Sequence, residues 1–253
     1  MSKHSDGGFH FEDRGEDWTV GVFDVLAGLD SVVHAVTTRR GPVLGGEAMA
    51  DDPAARRIAG RLGLRGMAYC RQVHGNSVLA VCAGGLAGDA DAMITNGVSL
   101  GLLGRSADCP LILVADPVSG AVGMAHASWR GTVSRIAARL LAALAAHYQI
   151  RPSQTIACIC PSAGPCCYEV GPDVVQAARA GMGNGVERFF PTREGKTSFD
   201  MWSANAHQLV RAGLPARNVY VSGVCTICNS DVLPSYRVDG AEAGRFAAVI
   251  AQR

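Results

Sequence analysis

Residues 107–132, A-D-C-P-L-I-L-V-A-D-P-V-S-G-A-V-G-M-A-H-A-S-W-R-G-T, constrain the fold of this chain more than any other stretch. Two apolar runs, 111–115 and 121–125, flank the turn-forming D-P-V-S-G and predict a β-hairpin or a pair of adjacent strands. Cys109 lies just before the first run and His126 just after the second. Closing the hairpin therefore brings a thiol and an imidazole to one end of a sheet, a place suited to a metal or a nucleophile.

A chain of 253 residues can bury a substantial core without disulfides, and a single domain is the expectation. The formal net charge is only +1, and no Lys/Arg run forms a phosphate-tracking stripe, so nucleic acid is not an expected partner. Lys3 and Lys196 are the only lysines, which leaves arginine as the cation available to planar anions. No segment approaches 18 uninterrupted apolar residues and the N-terminus has no apolar leader, so neither a membrane span nor secretion is expected. The nine cysteines cannot all pair internally. Cys70, Cys82, Cys158 and Cys160 lie in or beside apolar runs and read as small core residues, in keeping with a reducing cytoplasm.

Residues 1–16 are polar and Gly-rich and predict a flexible segment ahead of one domain over 17–253. Strands follow at 19–25 and 31–37, the second running into Thr37-Thr38-Arg39-Arg40-Gly41, which by spacing alone reads first as a solvated loop, though its hydroxyls, guanidinium and amides also suit an anion such as phosphate. Asp52 before Pro53 starts a helix over 51–62. A strand over 67–75 ends at His74, and Gly75-Asn76 turns it into a return strand over 77–82. Asp89 and Asp91, two apart, share one face if their segment is extended, and are equally readable as turn residues. Ser128 or Thr132 caps a helix over 133–147, whose stripe of Ile136, Leu140, Leu141 and Leu144 is core. Its free amides beside Arg130 favour an anion. Further elements are a strand at 155–160, helices at 174–180 and 200–212, and strands at 219–223 and 244–250.

Two further thiol motifs are present. Cys166-Cys167 is a poor chelating pair by itself, and Cys225-x-x-Cys228 lacks a second pair at zinc-finger spacing, so neither is expected to form a site. His74, Cys109 and His126 each end or adjoin a strand. Were those strands neighbours, two nitrogens and a sulfur would converge, the set catalytic zinc uses when it leaves a fourth position for water. Spacing alone leaves open a Cys109–His126 nucleophilic pair, or three unrelated residues.

Six blocks in order carry a resemblance: T-T-R-x-G at 37–41, Q-V-H-G at 72–75, A-D-C-P at 107–110, A-H-A-S-W-R-G-T at 125–132, G-P-C-C-Y-E-V-G at 164–171 and S-Y-R-x-D-G at 235–240. Together they resemble the family long known as laccase-domain or multicopper polyphenol oxidase proteins, whose members are now regarded mainly as purine nucleoside phosphorylases. The likeness runs from about residue 30 to the C-terminus. It implies an α+β single-domain layered sandwich with mixed β-sheets and flanking helices, similar to the toxin-deamidase-like fold. It also implies one zinc ion on His74, Cys109 and His126. Seven histidines do not stretch to several copper ions, so copper is the poorer expectation.

The activities implied are phosphorolysis of adenosine, inosine, guanosine and methylthioadenosine, and hydrolytic deamination of adenosine, with purine nucleosides and phosphate as the small-molecule partners. Arg39, Thr38 and Gln72 are the expected phosphate and substrate contacts, with Arg130 and Asp108 as catalytic groups; the alternative role for Asp108 is to anchor the loop that presents Cys109. Two positions depart from the family pattern: Ser128 stands where glycine is usual, and Val238 where a second arginine is usual. The competing class is a cysteine-dependent hydrolase or amidase, such as the peptidoglycan precursor editing ascribed to some bacterial members. A third is a binding protein whose zinc only fixes a sheet edge. Oligomeric state is not legible.

Overall fold

The computed structural model describes residues 8–15, 17–45 and 51–253. In chain order its strands are β1 (His10–Asp13), β2 (Thr19–Val22), β3 (Val32–Thr37), β4 (Gly66–Arg71), β5 (Val78–Ala80), β6 (Gly85–Asp89), β7 (Ala92–Thr95), β8 (Leu100–Ser106), β9 (Leu111–Ala115), β10 (Val122–His126), β11 (Ile156–Ile159), β12 (Thr192–Arg193), β13 (Lys196–Thr197), β14 (Val219–Val221) and β15 (Phe246–Gln252). The helices are α1 (Asp24–Ala27), α2 (Pro53–Arg61), α3 (Trp129–Val133), α4 (Ile136–Tyr148), α5 (Pro172–Met182), α6 (Met201–Arg211) and α7 (Tyr236–Asp239).

Two mixed sheets carry the fold. One runs β1-β2-β3-β15-β8-β4-β6 and the other β14-β11-β9-β10-β7-β5. Residues of β9 alternate between two surroundings, as a strand buried on both faces requires. Leu111, Leu113 and Ala115 join Met93, Met124, Leu102, Phe246 and Ile250 in the core between the sheets. Ile112 and Val114 face Leu140, Leu144 and Leu209 of α4 and α6. On the far side of the larger sheet, Ile58 and Ala59 of α2 cover Tyr69, Leu103 and Val249. The order of layers is thus helix, sheet, sheet, helix, the α+β layered sandwich the family resemblance implies.

The predicted hairpin is present as β9 and β10, with Val122 opposite Ala115 and His126 opposite Leu111. Asp52 caps α2 by accepting from the amides of Ala54 and Ala55, with Pro53 in the first turn. Three expectations fail for reasons of longer range. The predicted β4–β5 hairpin does not form: β5 pairs in parallel with β7, so after Gly75 the chain crosses from one sheet to the other. Asp89 and Asp91 do not share a face, because the same crossing recurs between β6 and β7. Asp89 meets Arg71 at the surface, while Asp91 is buried. The single helix expected after Ser128 is two, α3 and α4, broken where Arg135 takes a left-handed backbone at φ 63°.

The flexible segment expected over residues 1–16 is also revised. Within it, β1 is an edge strand in register with β2, and Phe9 and Phe11 pack on the inter-sheet core, which supplies the apolar contact the Gly-rich composition hides. Residues 1–7 of that expectation lie outside the described residues. Of the cysteines read as core, Cys70, Cys158 and Cys160 are buried, whereas Cys82 follows a short edge strand and is exposed.

Candidate active site

The gap between the sheets opens at the end where β4, β8 and β10 finish and β9 begins. Alternation along β10 turns His126 to the same side as Met124, toward the gap. Cys109, two residues before β9, sits half-buried at the same edge, with its carbonyl held by the Ser106 hydroxyl at 2.7 Å. His74 arrives on the crossing between sheets that replaces the predicted hairpin. One donor atom from each of His74, Cys109 and His126 lies within 4.8 Å of the others, and the two imidazoles meet edge-on with centroids 5.0 Å apart.

Asp91 holds this arrangement, a role the sequence reading missed. Its carboxylate accepts from His126 Nδ1 at 2.8 Å and from the backbone amides of Val73, His74 and Gly75 at 3.2, 3.0 and 2.7 Å. Its own carbonyl accepts from the His126 amide at 2.7 Å. One buried carboxylate therefore clamps the His74 turn and sets the His126 ring, leaving Nε2 for the cavity. His74 (φ 59°) and Asp108 (φ 94°) adopt left-handed backbone at the two loops that carry the candidate ligands. Gly131 is the glycine the site requires: a Cβ there would come within 2.9 Å of the Gly75 carbonyl, so only glycine lets α3 lie against the His74 turn.

The electrostatics agree with a ligand set. Burial alone would raise the Asp91 carboxyl, but hydrogen bonds from His126 and from the Gly75 and His74 amides hold it below its ordinary value. Burial opposes charge on Cys109 as well, yet His126 and His74 bring its thiol down to about 7. Burial likewise disfavours the His126 imidazolium, but Cys109 and Asp91 carry it up to about 9. Cys109 and His126 thus each favour the charged form of the other, and a metal held by the two would take the place of the imidazolium proton. Two imidazoles and a thiolate, one imidazole backed by a carboxylate, fit a tetrahedral zinc with one position open.

His74, Cys109 and His126 line a cavity of 670 Å³. Gln72 lines it, with its side-chain amide paired to the backbone of Arg105 at 2.8 and 2.9 Å, which extends the sheet by one side chain. Sequence reasoning missed the cavity's arginines, Arg71, Arg105, Arg237 and Arg245, and its tyrosines, Tyr168 and Tyr236. Arg105 is buried on β8 against Asp52 at 3.3 Å. Arg237 lies over the Tyr168 ring at 4.8 Å, and Arg245 over Tyr236 at 6.0 Å. S-Y-R at 235–237 was the signal that could have found two of these residues.

The remaining expected contacts fall elsewhere. Arg39 bonds the Ser230 carbonyl at 2.7 Å and the Asp239 carboxylate, and it does not line the cavity, because its loop is held to the 230–239 segment. Thr38 is buried, with its hydroxyl donating to the Thr19 carbonyl at 2.9 Å. Arg130 is exposed, stacks on Trp129 at 4.3 Å and is not among the residues that line the cavity. Of the α3 amides that were to favour an anion, that of Gly131 donates to the Ser128 hydroxyl, and the Thr132 amide donates to the Ser128 carbonyl. Asp108 accepts from the Thr226 hydroxyl at 2.6 Å and the Arg237 amide at 2.8 Å, the bonds of a loop anchor.

The chain is similar to proteins named for purine chemistry. The chain is 37% identical over 235 residues to the purine nucleoside phosphorylase of Deinococcus radiodurans, covering 87% of this chain and 89% of that one. It is 34% identical over 197 residues to purine nucleoside phosphorylase YlmD of Geobacillus stearothermophilus, covering 73% and 71%. The crystal structure of YlmD from that organism superposes with a TM-score of 0.77 at 27% identity, over 96% of this chain and 98% of that one. Adenosine deaminase RL5, from an unknown prokaryotic organism, is 35% identical over 164 residues, covering 61% and 59%. The family model for multi-copper polyphenol oxidoreductase laccase matches residues 46–253, and the chain belongs to that family.

Proposed function

We propose that this protein is a zinc-dependent purine nucleoside phosphorylase with a second, hydrolytic activity on adenosine. The observation that carries the reading is the convergence of His74, Cys109 and His126 on the wall of a cavity that also presents arginines and tyrosines. The names of the relatives give the substrate class, purine nucleosides with phosphate, and the cavity's chemistry suits it. Tyr168 and Tyr236 offer ring faces to a flat base. Arg237 and Arg245 offer guanidinium forks to phosphate, in place of Arg39 and Arg130, while Arg105 is held by Asp52.

When bound, zinc supplies Lewis acidity beside the base and lowers the pKa of water. The chain's own part is positioning. Asp91 fixes the His126 ring and the His74 turn, Gln72 holds the floor of the cavity to Arg105, and Asp108 anchors the Cys109 loop. Phosphate held by the arginines attacks the anomeric carbon as the bond to the base nitrogen breaks, giving ribose 1-phosphate and free base. Several copper ions fit less well, since His74, Cys109 and His126 supply the donors for a single ion. The nine free cysteines, whose metal-binding thiolates need to stay reduced, suit a cytoplasmic setting.

The test is direct. Zinc-loaded protein given adenosine and inorganic phosphate forms ribose 1-phosphate and adenine, and Cys109→Ser forms neither. The low thiol pKa of Cys109 beside His126 also favours a second reading, a metal-free cysteine hydrolase. Amide hydrolysis that survives removal of zinc, with no phosphate consumed, would establish that reading instead.

A further inference from the structure

The two thiol motifs that make poor sites separately are one cluster in the fold. Parallel pairing of β11 with β14 carries the loop after each strand to the same end of the sheet, and the bridge from Ser162 to Cys225 joins those loops. The Sγ atoms of Cys166, Cys167, Cys225 and Cys228 then all lie within 4.8 Å of one another, with Cys228 3.4 Å from Cys167 and 3.8 Å from Cys166. Four sulfurs at the ~2.3 Å zinc–sulfur bond length form a tetrahedron with edges of about 3.8 Å. The spacing matches one ion and is too tight for sulfurs spread around a multinuclear cluster.

Backbone amides face the Cys225 sulfur. The Gly164 amide donates to its sulfur at 3.3 Å, and the amides of Ile227 and Cys228 in the same C-x-x-C turn point to it as well.

We propose that Cys166, Cys167, Cys225 and Cys228 hold a second, mononuclear zinc ion in a closed tetrathiolate site. Soft thiolates in a tetrahedral S4 set select zinc over the hard divalent cations. With four protein ligands the ion keeps no open position, so it is structural. Its place explains what it holds. The two cysteine loops both clasp Asp108: the Ala163 amide donates to the Asp108 carbonyl at 2.8 Å, and the Thr226 hydroxyl to its carboxylate at 2.6 Å. The zinc thereby fastens the loop that presents Cys109. The proposal is independent of the nucleoside chemistry.

The test counts metal in variants that empty one cluster at a time. Wild-type protein purified under reducing conditions with zinc is expected to hold two equivalents, Cys109→Ser one, and Cys109→Ser combined with Cys228→Ser none, with folding checked by circular dichroism. In case the double variant does not fold, cobalt is loaded into Cys109→Ser alone. The expected spectrum is a strong thiolate-to-cobalt band with tetrahedral d–d absorption, which one mixed site stripped of its only sulfur cannot give. A folded Cys109→Ser that binds neither zinc nor cobalt overturns the proposal. So does a disulfide between Cys167 and Cys228 found by peptide mapping of the reduced preparation, or iron in place of zinc.

Discussion

The cluster of His74, Cys109 and His126 and the cluster of four cysteines are joined through Asp108, but they differ in what surrounds them. The first has mixed nitrogen and sulfur donors, a carboxylate behind one imidazole and a place on the wall of a 670 Å³ cavity. The second has only sulfur, close enough to surround one ion, and backbone amides behind Cys225. The number of protein donors therefore separates a site that leaves room for a substrate from one that only fastens loops.

Ligand loss should break the comparison most visibly. Cys109→Ser is expected to take phosphorolysis to the uncatalysed background, whereas Cys228→Ser reduces it and chiefly lowers thermal stability. An ion bound at a thousand times its dissociation constant stabilises by about 4 kcal/mol, roughly 8–16 °C in Tm for a chain of this size. Differential scanning calorimetry with matched activity assays reads both. Equal activity losses with unchanged Tm in Cys228→Ser would make the two clusters alike.

Asp91→Asn sharpens the account of the mixed site. It keeps the size of the side chain but removes the charge that orients His126 and holds the His74 turn. Zinc affinity measured by chelator competition should fall about 10–100-fold, with activity recovering at excess zinc. Unchanged affinity would reduce Asp91 to a fold residue. Next in size are the arginines. Arg237→Ala should raise the KM for phosphate about tenfold or more, the worth of a charged hydrogen bond. Arg39→Ala, whose guanidinium is engaged by Asp239, should leave it unchanged. The reverse result would return the anion site to the Thr37–Gly41 loop.

The smallest effect is a control for acid experiments, which would otherwise be read only as protonation of metal ligands. His34 belongs to neither cluster and lies on β3, buried, with Nε2 accepting from the Phe23 amide at 2.8 Å. Burial lowers it from 6.5 to about 4. Above pH 6.5 the ring is neutral in folded and unfolded chains and contributes no pH dependence. As pH falls from 6.5 toward 4, only the unfolded chain takes up the proton, so stability declines, by about 3 kcal/mol once the window is crossed. Urea titrations of metal-free protein should show the decline in wild type and less of it in His34→Gln.

What the sequence reveals is mainly local. The β9–β10 hairpin needs only two apolar runs and a turn, and α2 announces itself by Asp52 and Pro53. The ligand trio was legible through six short blocks, not through spacing. The crossing after Gly75 was not legible, because β5 chooses its partner by burial across the sandwich and no local signal distinguishes that from a hairpin. Asp91 shared this fate: two apart from Asp89 in sequence, it ends in a different layer. The cysteine cluster required the pairing of β11 with β14, strands some sixty residues apart, before Cys166 and Cys228 could meet. Arg105, Arg237 and Arg245 were hidden for the same reason, each on its own element and joined only by the cavity.

Anomalous diffraction across the zinc absorption edge, from crystals grown under reducing conditions with zinc, tests the two-site account most directly. The account predicts two peaks per chain, one among His74, Cys109 and His126 with its open side on the cavity, and one enclosed by Cys166, Cys167, Cys225 and Cys228. A single peak, with the four sulfurs empty or joined as disulfides, would contradict it.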